Sequence, residues 1–208
     1  MAVQYSVAFS ASTIGAGIGA GGPYGCGVAG LSVAYPCMQG HPSGAAAYNV
    51  ALWFAMWGTI DPVDHIARQK IYLFRGMQDT FVGRPTMDAL RAFYVDVHVP
   101  ASSILYVDQV PAGHAFISDD LGGDCGSSGG HFINRCEVDN ALYDQPRAIL
   151  EHIYGPLRAK ATTLTASPIP FDQRPFLPTL SGMASTGYAY VIGPSCITRM
   201  GGPSGRFA

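Results

Sequence analysis

Lys70-Ile-Tyr-Leu-Phe-Arg-Gly76 reads as a buried strand, and Asp79 follows it at once. Arg84 to Val97 then reads as an amphipathic helix, and Ser103-Ile-Leu-Tyr-Val-Asp-Gln-Val110 as a second strand with Gly113-His114 directly behind it. An acid ends one strand, a helix crosses over, and a histidine ends the next. Asp79 alone would be an ordinary turn residue, and His114 alone a structural histidine. Their joint placement at consecutive strand ends carries the chemical information.

This is how an α/β-hydrolase delivers the acid and base of a Ser-His-Asp triad, in the chain order Ser, Asp, His. In that reading His114 is the general base and then acid, and Asp79 fixes its tautomer and steadies the imidazolium. The nucleophile belongs upstream of Asp79, on a sharp strand-to-helix turn. The sequence between Met1 and Asp79 shows no serine in that setting. The fold expected is α/β, with helices on both faces of the sheet.

Outward from this module, Val3, Val7, Ala8 and Ala11 give Met1 to Thr13 a helix-like spacing. Ile14 to Ala20 reads as a small-residue buried strand or a tight turn, and Gly21 to Cys26 as loop. Asn49 to Trp57 is an apolar helical piece, and Asp61 to Ile66 a short helical turn. Ala112 to Asn140 reads as a long Gly-rich loop, of the kind that often carries function. Ile149, Leu150, Ile153 and Leu157 set a helix over Asp144 to Leu157. Thr162 to Phe171 and Gly187 to Ile192 read as strands. Ile197 to Ala208 has no pattern.

The 208 residues suffice for one domain with a sizeable core. Charged residues make up 12%, about half the usual share. A net charge of -2 and two lysines, Lys70 and Lys160, give no electrostatic reason to expect a nucleic acid or an anionic membrane as partner. Gly and polar residues interrupt every apolar run, so no stretch reads as a membrane span. Met1 to Ala20 lacks the positive n-region of a signal peptide.

Cys26 and Cys37 bracket one short loop, and Cys125 and Cys136 another. That spacing suits two local disulfides, which points to an oxidising compartment. A zinc site of Cys125, His131 and Cys136 is the weaker alternative, because its spacing fits no common zinc pattern. Cys196 is left odd.

Two motifs weigh against their first appearance. Gly17-Ile-Gly-Ala-Gly-Gly22 satisfies G-x-G-x-x-G, but Pro23-Tyr-Gly-Cys follows instead of a helix, and no acid stands about 20 residues on. Close packing of small residues is the better reading, and no cofactor is expected. Gly126-Ser-Ser-Gly-Gly130 matches G-x-S-x-G with Ser128 in the nucleophile slot. A nucleophile elbow needs a strand before it and a helix after it. Here Asp119-Asp-Leu-Gly-Gly-Asp precedes and His131-Phe-Ile-Asn-Arg follows, so a loop is the better reading. Ser128 also follows the histidine, the wrong order for this fold. His41, His65, His98, His131 and His152 have no catalytic context and read as structural or exposed.

From Met1 to Cys196 the chain resembles the extracellular poly(3-hydroxybutyrate) depolymerases of the fungal, circularly permuted single-domain type. The anchors are Ala20-Gly-Gly-Pro-Tyr-Gly-Cys26, Cys37-Met-Gln-Gly-His-Pro42, Arg68-Gln-Lys-Ile-Tyr72 and Gly76-Met-Gln-Asp-Thr-Phe-Val-Gly83. Further on come Gly113-His-Ala-Phe116, Gly123-Asp-Cys125, Asn134-Arg-Cys136, Ile153-Tyr-Gly155 and Thr186-Gly-Tyr-Ala-Tyr-Val191. The resemblance implies a secreted or periplasmic serine-type carboxylic ester hydrolase, acting on a polyester of short 3-hydroxy acids. It puts Asp79 on the triad acid and His114 on the triad base. It also puts Cys26, Cys37, Cys125 and Cys136 on family cysteines.

The resemblance further implies a partial catalytic domain over 1–196, with 197–208 an unmatched tail. The nucleophile serine would lie a few residues before Met1, and the hydrolase sheet would be incomplete at both ends. Loss of a triad nucleophile removes about 10⁶ in rate. Two other readings remain at this point: a small esterase using another serine, Ser128 first, and a non-catalytic polymer- or lipid-binding remnant.

Overall fold

The computed structural model describes residues 1–27, 31–161, 167–176 and 184–189. They fall in two compact units, 1–157 and 158–208. In the first unit the order begins α1 (Ala2–Ala8), β1 (Gly15–Gly19), α2 (Leu31–Gln39), α3 (Gly44–Met56), β2 (Lys70–Phe74), α4 (Arg84–Asp96) and β3 (Ile104–Val107). Four two- or three-residue strands follow: β4 (Phe116–Ile117), β5 (Gly123–Asp124), β6 (Ile133–Arg135) and β7 (Glu137–Val138). Then come β8 (Ala141–Leu142) and α5 (Gln145–Tyr154).

A parallel sheet in the order β1-β2-β3 organises the unit, with Ala16 opposite Ile71 and Phe74 opposite Val107. β2 is central, and Ile71, Tyr72, Leu73 and Phe74 are all buried. Successive side chains on a strand face opposite ways, so such a run must be covered on both faces. Ile71 and Leu73 join Val3, Val7, Met87, Leu90 and Phe93 in a core with α1 and α4. Tyr72 and Phe74 join Val107, Val110, Ala112 and Ile117, with Ile149 of α5 packed alongside. Helices therefore cover both faces, as the sequence predicts.

α4 has the expected periodicity. Thr86, Met87, Ala89, Leu90, Phe93 and Tyr94 are its buried residues, and Pro85 stands in its first turn, where no amide hydrogen bond is lost. β1 owes its glycines to α5. A Cβ on Gly17 would come 2.6 Å from Ile149 Cγ2, and one on Gly15 3.0 Å from Ile153 Cγ1. The G-x-G-x-x-G stretch is close packing.

Several boundaries differ from the sequence reading. α1 stops at Ala8 and does not run to Thr13. The Ser12 and Thr13 hydroxyls both donate to the Phe9 carbonyl, and such local bonds compete with helix continuation. α3 starts at Gly44, capped by Ser43, whose Oγ accepts from Ala46 N at 3.2 Å. α2 is unforeseen and carries Pro36 inside it. A tertiary tether holds it: Cys37 is bonded to Cys26, and Thr86 Oγ1 donates to the carbonyls of Cys37 and Met38.

Residues 112–140 are also more ordered than a plain loop. β4, β6 and β5 form a small parallel sheet in that order. β7 and β8 form a hairpin whose two turn residues, Asp139 and Asn140, have φ of 53° and 62°. Positive φ at both positions is the type I′ requirement, which Asp and Asn tolerate.

In the second unit β9 (Ile169–Asp172) pairs antiparallel with β10 (Thr186–Ala189). They overlap the strands expected there, β9 running one residue past Phe171 and β10 starting one residue before Gly187. Residues 162–166 and 190–192 of those expected strands lie outside the described residues, as do Cys196 and the 197–208 tail. Among the described residues no helix is long and apolar enough to cross a membrane.

Two buried phenols, one in each core cluster, are each hydrogen-bonded. The Tyr72 and Tyr143 hydroxyls meet at 2.7 Å, and Tyr94 meets Ser6 Oγ at 3.3 Å. Burial pushes the Tyr72, Tyr94 and Tyr143 phenols up from their ordinary value. The folded state therefore holds these protons more tightly than the unfolded chain. Their contribution is full below about pH 10 and is lost as the pH rises beyond it. An ultraviolet alkaline titration should show fewer phenolates in the folded protein than in urea, until both curves meet at the unfolding step. Coincident curves from the start would contradict this burial.

Candidate functional site

The site is assembled by stitching the turn after β2 to the segment after β3. Met77 N donates to Val110 O at 2.8 Å, and Gln78 N to Ala112 O at 2.9 Å. The chains pass so closely that a Cβ on Gly76 would fall 2.2 Å from Ala112 O. Glycine is the residue that allows this approach. Arg75 closes the turn by donating from Nε to Val82 O and from Nη2 to Asp79 O.

Asp79 is buried, at 4% exposure, yet its carboxylate is well supplied with donors. Oδ1 accepts from Phe81 N at 2.8 Å and Val82 N at 2.9 Å. Oδ2 faces His114 Nδ1 at 2.9 Å. A buried carboxylate is tolerable when it is hydrogen-bonded in this way. Because a carboxylate can only accept, Nδ1 carries the proton and donates it. In the neutral ring this leaves the Nε2 lone pair free to act as a base.

His114 keeps 30% of its side chain exposed, so Nε2 chemistry is accessible from solvent. Two phenylalanines stand edge-on to the ring: Phe81 at 5.1 Å and Phe132 at 5.9 Å between centroids. Phe132 has φ of 54°, an unusual backbone state for an aromatic residue. It is held there by Phe132 N donating to Gly129 O and Phe116 N donating to Phe132 O.

Asp79 and His114 thus meet, as expected from the sequence. Ser128 is close as well, but through the backbone: His114 N donates to Ser128 Oγ at 2.8 Å. Among the described residues no serine hydroxyl is hydrogen-bonded to the His114 ring, so no nucleophile is positioned there. Cys26 is bonded to Cys37 and Cys125 to Cys136. The second bond uses both thiols of the alternative zinc set and removes that reading. The sequence reading missed Phe81 and Phe132; their placement beside His114 depends on two separate loops, which no local pattern encodes.

A cavity of about 370 Å³ opens at the carboxyl end of β1, lined by Val3, Gln4, Ile18, Ala20, Cys26 and Cys37 among others. Open parallel sheets place their ligand crevices at this end of the strands.

No protein-family model matches the chain. It is 39% identical over 197 residues to a poly(3-hydroxybutyrate) depolymerase of Delftia acidovorans, and 36% identical over 198 residues to a polyhydroxybutyrate depolymerase of Talaromyces funiculosus. Both matches cover 92% of the chain but only 38% and 55% of those relatives. Two solved structures share the fold at 32% identity, each over 89% of the chain and 57% of the other. One is a PHB depolymerase from Penicillium funiculosum, with a TM-score of 0.76. The other is a serine-to-alanine PHB depolymerase complexed with an R3HB trimer, with a TM-score of 0.74. The architecture is of the α/β-hydrolase type. Over 92% of its length in sequence and 89% in fold, this chain is similar to poly(3-hydroxybutyrate) depolymerases, of which it spans about half or less.

Proposed function

We propose that this chain carries the acid and base of a serine-type carboxylic ester hydrolase whose substrate is a polyester of short 3-hydroxy acids. The observation that carries this reading is the bond from His114 Nδ1 to the buried Asp79 carboxylate. Nε2 of His114 takes the proton of a serine hydroxyl as its oxygen attacks the ester carbonyl. It then gives that proton to the departing alcohol, leaving an acyl-enzyme. Water repeats the cycle and releases the acid. Asp79 holds the ring in the Nδ1–H tautomer throughout and offsets the imidazolium charge. The serine comes from polypeptide outside the described residues. Two disulfides fit folding in an oxidising compartment, which supports secretion or a periplasmic location.

The test is hydrolysis of a poly(3-hydroxybutyrate) suspension by a polypeptide that contains this chain together with a nucleophile-bearing segment. Release of 3-hydroxy acid that stops in His114→Ala is expected. Clearing that survives His114→Ala overturns the reading. A fluorophosphonate should leave Ser128 of the 208-residue chain unmodified by intact-mass spectrometry and peptide mapping, because that hydroxyl faces an amide and not the ring. An adduct on Ser128 would revive the esterase alternative.

A further inference from the structure

Asp79 is fixed by three hydrogen bonds to its carboxylate, whereas among the described residues the imidazole has no hydrogen bond beyond that shared contact, only the edges of Phe81 and Phe132. The position of the ring therefore depends on where the His114 backbone sits. We propose that Ser128 is a positioning residue for the general base: its hydroxyl anchors the His114 amide and so sets the imidazole against Asp79. The proposal rests on the hydrolase reading above and assigns to Ser128 a role that its G-x-S-x-G context conceals.

The backbone on either side of His114 is already docked. Gly113 N donates to Cys125 O at 2.9 Å, and Phe116 N to Phe132 O at 2.8 Å. The His114 amide lies between these two points, and Ser128 Oγ takes it at 2.8 Å. The contact is tight enough that a Cβ on Gly113 would fall 2.3 Å from Ser127 O. The base thus rides on the 125–128 turn.

That turn is itself braced. Asn134 is buried, and its Nδ2 donates to both Cys125 O at 3.1 Å and Ser127 O at 2.7 Å. The Cys125–Cys136 disulfide closes the loop, and Cys136 is buried beneath it. Gln78, one residue before Asp79, packs on Gly126, where a Cβ would come 2.5 Å from Gln78 Oε1. Acid turn, base and brace are therefore in mutual contact. Proton transfer needs placement within about 0.5 Å, and a misplacement of about 1 Å costs roughly 10² in rate. A single hydroxyl at this point has leverage out of proportion to its own bond.

Proton NMR of the ¹⁵N-labelled chain tests this without any need for catalysis. The His114 Nδ1 proton, bound to a carboxylate, should give a low-field signal, assigned by its loss in His114→Gln. In Ser128→Ala that signal should shift or broaden, and the His114 amide should exchange about fivefold faster, the value of one modest hydrogen bond. Ser128→Thr keeps the hydroxyl and should restore both. A low-field signal unchanged in Ser128→Ala overturns the proposal while leaving the Asp79–His114 pair intact. Its absence from the unsubstituted chain overturns the pair, and this proposal with it. Should Ser128→Ala fail to fold, amide exchange in the unsubstituted protein decides. Protection of the His114 amide supports the anchor, and exchange at the unprotected rate overturns it.

Discussion

Asp79→Asn should lower kcat for ester hydrolysis by about four orders of magnitude, measured on a soluble short-chain ester with a polypeptide that contains the nucleophile. The size follows from the way Asp79 is held. Its Oδ1 accepts from the Phe81 and Val82 amides, so the oxygen of an asparagine is pinned to that side. The asparagine NH₂ must then face His114 Nδ1, where the carboxylate Oδ2 now stands. An N–H pointed at Nδ1 forces the ring proton to Nε2. The nitrogen that should receive the serine proton would already carry one. The fold should survive, because the substitution keeps shape and both turn bonds. A loss of less than about tenfold would mean that the pair is not the machinery of this reaction.

The second large effect is on stability. Phe93→Ala should cost about 3–5 kcal/mol in urea unfolding. Phe93 is fully buried in the core shared by β2, α1 and α4. Its ring stacks with Tyr24 at 6.5 Å and meets Tyr94 edge-on at 5.2 Å. The cavity left behind cannot collapse easily. α3 already approaches α4 so closely that a Cβ on Gly44 would fall 2.6 Å from Phe93 N. A cost below about 1 kcal/mol would show that α4 is not packed as described. The change also bears on the site, because α4 links the strand that precedes Asp79 to the strand that precedes His114.

The parts of this molecule that could be read from its sequence are those whose physics is local and long enough to be periodic. β2 announces itself by a continuous apolar run, and α4 by apolar residues on one face. The two disulfides follow from paired short loops. What escaped is what depends on partners far along the chain. α2 carries an internal proline and is tied to Thr86 and Cys26. β4 to β8 are too short for a period of two to register. Ser128 lies in a sequence that imitates an elbow, and only the contact with the His114 amide shows its actual partner. The meeting of Asp79 with His114 was legible because both sit just after strands, where a short reach separates sequence position from spatial position.

The in-register pairing of Phe74 with Val107 acts as a gauge for the whole site. Everything between these paired residues and the two functional side chains is short and stitched; the α4 excursion that connects the strands is long and packed from outside. Length changes should therefore be tolerated very unequally. A residue added in the exposed turn around His98 and Pro100 leaves the paired strands where they are. One added between Phe74 and Asp79 would displace the acid by a full residue step, about 3.3 Å along an extended chain, and turn it to the opposite side. Natural insertions and deletions among relatives of this chain should accordingly collect in the first place and be excluded from the second.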